Sequence, residues 1–178
     1  MPSTQTPDVS VSSLTDGTWD VDASASEVKF TARGMFGLVP VHGSFGAFDG
    51  TLEIEGTEAS GQLQIEAATL DTKNAKRDTH LRSRDFFEVD NYPTVTFQLT
   101  GLAATADGTL TFTGLLKIRQ TELPVEGPVR ATTLPDGRLK LETTVAVDRD
   151  AAGLSWSKLG VIKGKAQLHT SVVLTHAA

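Results

Sequence analysis

Residues 71–97 read DTKNAKRDTHLRSRDFFEVDNYPTVTF, and this stretch decides the fold because it interrupts a chain that otherwise alternates apolar and polar residues. Asn74 to Arg82 carries helix formers such as Ala75 and Lys76, polar side chains nearly all round and one apolar anchor, Leu81, which is the composition of a short surface helix. Asp85 then precedes the bulky pair Phe86 and Phe87, and Pro93 fixes the backbone before Val95-Thr96-Phe97 resumes a period of two. The expectation is a charged lid leading into a buried aromatic step, with strands on both sides.

Upstream, Val28, Phe30 and Ala32 share one strand face while Glu27, Lys29, Thr31 and Arg33 take the other, and Val39, Val41, Gly43 and Phe45 repeat the pattern. Between them Gly34-Met35-Phe36-Gly37 is an apolar loop, a composition that water-facing loops seldom carry, and it is expected at the rim of a cavity or folded over a core edge. Asp49-Gly50 predicts a hairpin turn, Glu58 to Ser60 a second turn, and Leu63, Ile65 and Ala67 one strand face. Downstream, Val95, Phe97 and Leu99 alternate, Asp107-Gly108 predicts a turn, and Leu110, Phe112, Gly114, Leu116 and Ile118 continue. Val125, Val129 and Ala131 share parity, Pro135-Asp136-Gly137 has proline and glycine where a turn needs them, and Leu139, Leu141, Val145 and Val147 are followed by Leu168, Thr170, Val172 and Leu174. About eight strands linked by hairpins, with one helical excursion near residues 74–82, dispose of their edges by closing into an antiparallel barrel. Such a barrel is either filled by side chains or holds one ligand, and small residues at Gly43, Ala67, Gly114 and Ala131 are expected to leave room beside the phenylalanines.

The chain has 178 residues, enough for one domain with a substantial core, expected over 18–178, after a Ser-, Thr- and Pro-containing tail over 1–17. A net charge of -6 and the lack of any Lys/Arg block exclude a nucleic-acid footprint and disfavour attraction to an anionic membrane surface. The absence of cysteine excludes disulfides, a thiol nucleophile and cysteine-ligated metal. Met1 to Gly17 has no basic start followed by an apolar run, so neither a secretory signal nor a membrane span is expected; a cytoplasmic protein is the reading, with a mature form of an exported protein as the alternative.

The run Asp71-Thr72, Arg77-Asp78, His80-Leu81, Ser83, Asp85-Phe86-Phe87, Tyr92-Pro93 and Phe97 resembles, in order and spacing, the signature of the YceI-like family of bacterial polyisoprenoid-binding domain proteins. Trp19, Asp22, Ser26, Val28, Phe30, Val41, Gly43, Phe45, Phe48 and Gly50 extend the resemblance upstream, and Gly114, Leu116, Ile118, Pro124, Val125 and Arg149 downstream. The resemblance implies an all-β, eight-stranded lipocalin-like barrel whose apolar cavity holds a long isoprenoid chain, and it does not by itself imply catalysis. Ala25 and Gly34 stand where the family commonly has histidines, and Ala151-Ala152 depart from the usual neighbours of Arg149, which bears on ligand identity more than on fold.

Catalytic constellations are hard to assemble. The four histidines, His42, His80, His169 and His176, show no H-x-H or H-E-x-x-H spacing, so no metal is expected, and no G-x-S-x-G elbow, P-loop or G-x-G-x-x-G occurs. Arg77, Asp78, His80 and Asp85 read best as a hydrogen-bonded network that holds the helical segment against the barrel end. Lys76, Arg77, Arg82, Arg84, Lys163 and Lys165 are the cations available to an anionic head group. The expected ligand lining is Phe30, Met35, Phe36, Phe45, Phe48, Leu81, Phe86, Phe87, Phe97, Phe112 and Trp156. At ~25 cal/mol per Å² of apolar surface, several isoprene units buried there would gain on the order of 10 kcal/mol before association costs. The function expected is non-catalytic binding, storage or transport of an isoprenoid lipid such as a polyprenyl phosphate or quinone, without cofactor, in a protein that could pair as a homodimer. The alternatives are an enzyme isomerising or cyclising an apolar substrate with Asp71, Asp78, His80 or Asp85 as acid/base, and a filled barrel serving as an assembly module.

Overall fold

The computed structural model describes residues 14–34, 39–104, 110–148 and 165–177. Ten strands, β1 (Gly17–Gly34), β2 (Val39–Phe45), β3 (Phe48–Glu55), β4 (Glu58–Glu66), β5 (Leu70–Asp71), β6 (Thr94–Ala104), β7 (Leu110–Ile118), β8 (Thr121–Thr133), β9 (Leu139–Asp148) and β10 (Lys165–His176), form one antiparallel sheet with the helix α1 (Ala75–Arg82) between β5 and β6. Eight of them, in the order β1, β3, β4, β6, β7, β8, β9, β10, close on themselves through the β10–β1 pairing. The eight-stranded barrel expected from the alternation is therefore present, and the two further strands are continuations of its wall. β2 runs on from β3 across a break at Gly46-Ala47, where Thr69 Oγ1 accepts both freed N–H groups at 3.1 Å, and β5 pairs with β2.

β1 spans both halves of the barrel because it bends. Its register against β10 shifts between Asp22 and Glu27, and the extra residues are stitched down by Ser26, whose hydroxyl donates to Asp22 O at 2.6 Å and accepts from Val173 N at 2.8 Å. Below the bulge β1 pairs with β3 and above it with β2.

Several local expectations need correction. Asp49 and Gly50 lie inside β3, paired with Gln64 and Leu63, rather than in a turn. A Cβ on Gly50 would strike Gln62 O, so the glycine serves a close approach of strands. Glu58 to Ser60 likewise belongs to β4, and the hairpin turns at Gly56, whose φ of +62° glycine adopts without strain. The packed chain also begins earlier than a tail over 1–17 allows: Leu14 is buried, Trp19 Nε1 donates to Thr15 O at 3.0 Å, and Gly56 N donates to Asp16 Oδ1 at 2.9 Å. The turn at Pro135-Asp136-Gly137 is as expected, closed by Gly137 N to Leu134 O at 2.9 Å. Asp107-Gly108 lies outside the described residues.

Two apolar clusters occupy the two ends. Trp19, Leu52, Ile54, Leu102, Leu110, Leu139 and Leu174 close one end, and Val28, Phe45, Phe48, Ile65, Leu70, Val95, Ile118 and Val147 gather at the end carrying α1. The space between them is the candidate site.

Candidate functional site

The side chains that could have filled the lumen are pressed against its wall. Phe30 pairs across the sheet with Gly43, and a Cβ there would overlap its ring. Phe97 lies in the same way over Gly114, while Phe112 faces Gly127, whose absent Cβ would sit 3.5 Å from its ring. Sequence reasoning expected small residues to leave space beside the phenylalanines. Instead Gly43 and Gly114 are covered by the rings, so the space appears at the barrel axis, because a ring lying in the pleat no longer projects inward. Ala67 and Ala131 are simply buried in the end clusters.

The result is a cavity of about 280 Å³ lined almost wholly by carbon. Phe30, Phe45, Leu81, Phe86, Phe87, Phe97 and Phe112, seven of the expected lining residues, stand on its wall. Phe48 does not: it is buried in the cluster at the α1 end, opposite Ile65. Met35, Phe36 and Trp156 lie outside the described residues, as do Arg149 and Lys163. Most of the aliphatic half of the wall was overlooked by a list weighted toward aromatics. Val125, Val145, Val147, Leu168 and Val172 also line the cavity, and the same parity that placed Phe112 inward would have found them. The rings form two groups: Phe30 to Phe45 at 5.5 Å and Phe45 to Phe87 at 5.9 Å near α1, and Phe97 to Phe112 at 5.7 Å deeper in.

Over the α1 end lies the segment 71–93. Asn74 caps the helix, its side chain accepting from Arg77 N at 3.0 Å. The most buried helix residue is Asp78 and not Leu81, which is only half-buried. Asp78 accepts from Thr72 N at 2.9 Å and from the Thr72 hydroxyl, while Arg77 Nε donates to that hydroxyl and Arg77 Nη2 to Thr72 O, both at 2.8 Å. Arg82 fixes the other end of the helix through Ala68 O and Leu70 O, each at 2.9 Å. Arg77 and Asp78 thus tie the helix to Thr72 just past β5, Arg82 ties it to Ala68 and Leu70, and the donors that Arg77 and Arg82 spend on backbone and hydroxyl are not available to a head group. Lys73 Nζ lies 2.9 Å from Asp71, and this contact with the Lys73 side chain and N–H holds the Asp71 carboxyl below its usual range.

His80 Nε2 sits 2.9 Å from Asp85 Oδ2, its ring is edge-on to Phe86 at 5.1 Å, and with Arg77 it brings polar atoms to the cavity mouth. Asp78 points its hydrogen bonds at Thr72 instead. One residue escaped sequence reasoning altogether. Arg119, in the two-residue turn between β7 and β8, donates to Phe86 O at 3.1 Å and meets Glu88 at 3.1 Å, with its guanidinium 5.9 Å from the Tyr92 ring centre. It clamps the Phe86-Phe87 loop from the far wall, and a lone arginine in a tight turn carries no local signal of that. Among the described residues no group of His, Asp or Glu is arranged to hold a metal ion, and no helix is long and apolar enough to cross a membrane.

The geometry can be set beside known proteins. The UPF0312 protein of Azotobacter vinelandii is 36% identical over 88 residues, covering 48% of this chain and 46% of that protein. The UPF0312 protein of Shewanella denitrificans is 29% identical over 122 residues, covering 67% and 62%. The stretch matched in the Azotobacter protein is about half the length of each chain. Among solved structures, Burkholderia cenocepacia BcnA superposes with a TM-score of 0.78 at 21% identity, covering 87% of this chain and 99% of that one. A polyisoprenoid-binding domain from Saccharophagus degradans gives a TM-score of 0.72 at 15% identity, covering 92% and 100%. At these identities the superpositions establish the lipocalin-like fold. Residues 19–174 match the YceI-like domain, and the chain belongs to the YceI-like family.

Proposed function

We propose that this protein binds a long apolar lipid, of which an isoprenoid such as a polyprenyl phosphate or quinone is the leading class, and carries or stores it without chemical change. The observation that carries the reading is the carbon-lined lumen, kept open by phenylalanines folded onto glycines and capped by a hydrogen-bonded helix. Solvent exclusion is sufficient to retain a hydrocarbon chain there, and the few polar atoms at the mouth, such as those of His80, would orient a head group rather than supply affinity. The Saccharophagus domain, described as polyisoprenoid-binding, supports the ligand class by likeness of fold. Lipid extraction and mass spectrometry of protein purified without detergent test the reading. A prenyl or comparable lipid at near one per chain is expected; protein that is empty in every preparation and takes up no prenyl lipid on titration would refute it.

One observation keeps a catalytic reading in view: His80 and Asp85 form a hydrogen-bonded pair at the cavity wall, an arrangement able to move a proton. His80→Gln separates the two. A carrier keeps its bound lipid unchanged, whereas an enzyme binds as before and loses turnover of it.

A further inference from the structure

The wall between β8 and β9 is sewn over only part of its length. Their ladder runs from Thr133↔Leu139 to Val129↔Thr143 and stops, while β9 from Thr144 to Asp148 pairs with β10 and β8 from Thr121 to Pro128 pairs with β7. The sequence encodes this end of the ladder. In the two-residue turn, Ile118 and Thr121 form the hydrogen-bonded pair, so alternate residues Thr121, Leu123, Val125 and Gly127 present their backbone groups to β7, and those between present theirs to β9. Pro124 and Pro128 fall in the second set, so two of the donors that would have joined β9 do not exist. Pro128 O does face β9, since it accepts from the Thr143 hydroxyl at 2.8 Å. Outward Glu122 and Glu126 with the prolines discourage a foreign strand from pairing at this edge.

What closes the seam is aliphatic. Val145 Cγ1 occupies the place beside Gly127, 2.8 Å from where a Cβ would be, and Val125, Val145 and Val147 on its two lips also line the cavity. Thr143, where the ladder ends, borders the cavity on one side and, on the other, a groove outside the wall among side chains such as Arg130, Glu142 and His169. The lumen itself, about 280 Å³, lies just below the range that encloses a drug-sized ligand, so a chain of greater volume extends beyond it.

Resting on the lipid-binding reading above, we infer that the β8–β9 seam is a tail slot: an alkyl or prenyl chain longer than the lumen passes between Val125 and Val145 with its remainder held along β8 and β9 beyond the end of their ladder. Because the chain has no cysteine, the seam can be locked by one disulfide, Gly127→Cys with Val145→Cys, whose neighbouring positions suit the Cβ separation of about 3.5–4.5 Å that the bond requires. Native mass spectrometry and titration would compare geraniol, which fits the lumen, with geranylgeraniol, which exceeds it. Locked protein should hold geraniol as the wild type does, bind geranylgeraniol about tenfold more weakly or worse, and recover on reduction. Pro124→Val with Pro128→Thr, which restores the donors and needs no cross-link, should shift affinity in the same direction. Undiminished geranylgeraniol binding by both variants overturns the slot, and so does equal weakening for the two alcohols. Wild-type protein that binds neither alcohol overturns the lipid-binding reading itself, and the slot with it.

Discussion

A glycine opposite a phenylalanine decides whether there is a lumen at all. A Cβ at position 43 would collide with the Phe30 ring and push it off the wall toward the barrel axis. Gly43→Ala should therefore destabilise the protein by about 1–3 kcal/mol in denaturant titration, the usual cost of overpacking, and weaken uptake of an apolar probe. Adding Phe30→Leu to Gly43→Ala should return part of both, and a double variant no better than the sum of its parts would count against ring placement as the cause. Asp78 is the complementary case, a buried carboxylate whose hydrogen bonds go to Thr72. Its replacement by alanine strands the Thr72 donor and should cost about 1–3 kcal/mol, with faster amide exchange across 72–82. Lipid bound to the surviving folded protein should be unaltered; lost binding in a fully folded Asp78→Ala protein would give Asp78 a direct role at the ligand.

At the scale of elements, the segment 71–93 behaves as a cover tied within itself by Thr72 with Asp78 and Arg77, and fastened to the rest of the chain by Arg82 at Ala68 and Leu70 and by Arg119 at Phe86. Release of the Arg119 fastening by Arg119→Ala should free the Phe86-Phe87 loop and raise the dissociation rate of a bound probe several-fold in stopped flow, with strand stability changed by no more than about 3 kcal/mol. An unchanged rate would mean that the cover does not gate the mouth. Another fastening joins elements far apart in sequence, since Arg138 meets Asp22 at 3.2 Å and Asp136 at 2.7 Å. Both carboxyls are held below the usual range, Asp22 first by the Ser24 hydroxyl and also by Arg138, Asp136 first by the Arg138 N–H and then by its side chain. The folded state thus binds fewer protons at these sites than the unfolded chain. Their contribution is complete above about pH 4 and is lost as pH falls through the lowered native values. Asp22→Asn with Asp136→Asn should flatten that acid limb in a plot of Tm against pH, and superimposable limbs would contradict the assignment.

For the molecule as a whole, the period of two made most strands and the barrel legible, because inward positions must be apolar wherever one face is wet. The helix formers and polar make-up of 74–82 made the helix legible too, though not its cap at Asn74. What could not be read were features that depend on sequence-distant partners. Asp49-Gly50 has the composition of a turn but is drawn into β3 by its pairing with Gln64 and Leu63, Arg119 acts on a loop that only folding brings near, and the glycines revealed their aromatic covers only once the register was fixed. The candidate site was half legible: the aromatic wall was found through its phenylalanines, with Phe48 placed on it wrongly and the valines and leucines left out.

All of this depends on a lumen that remains open along the axis of the barrel. A crystal structure of protein purified without detergent and never stripped of lipid examines that point. It should show continuous elongated density running from beside Phe87 toward Phe112, with Phe30 and Phe97 lying over Gly43 and Gly114. A lumen packed solid by those same rings, with no density and no room for any, would contradict it.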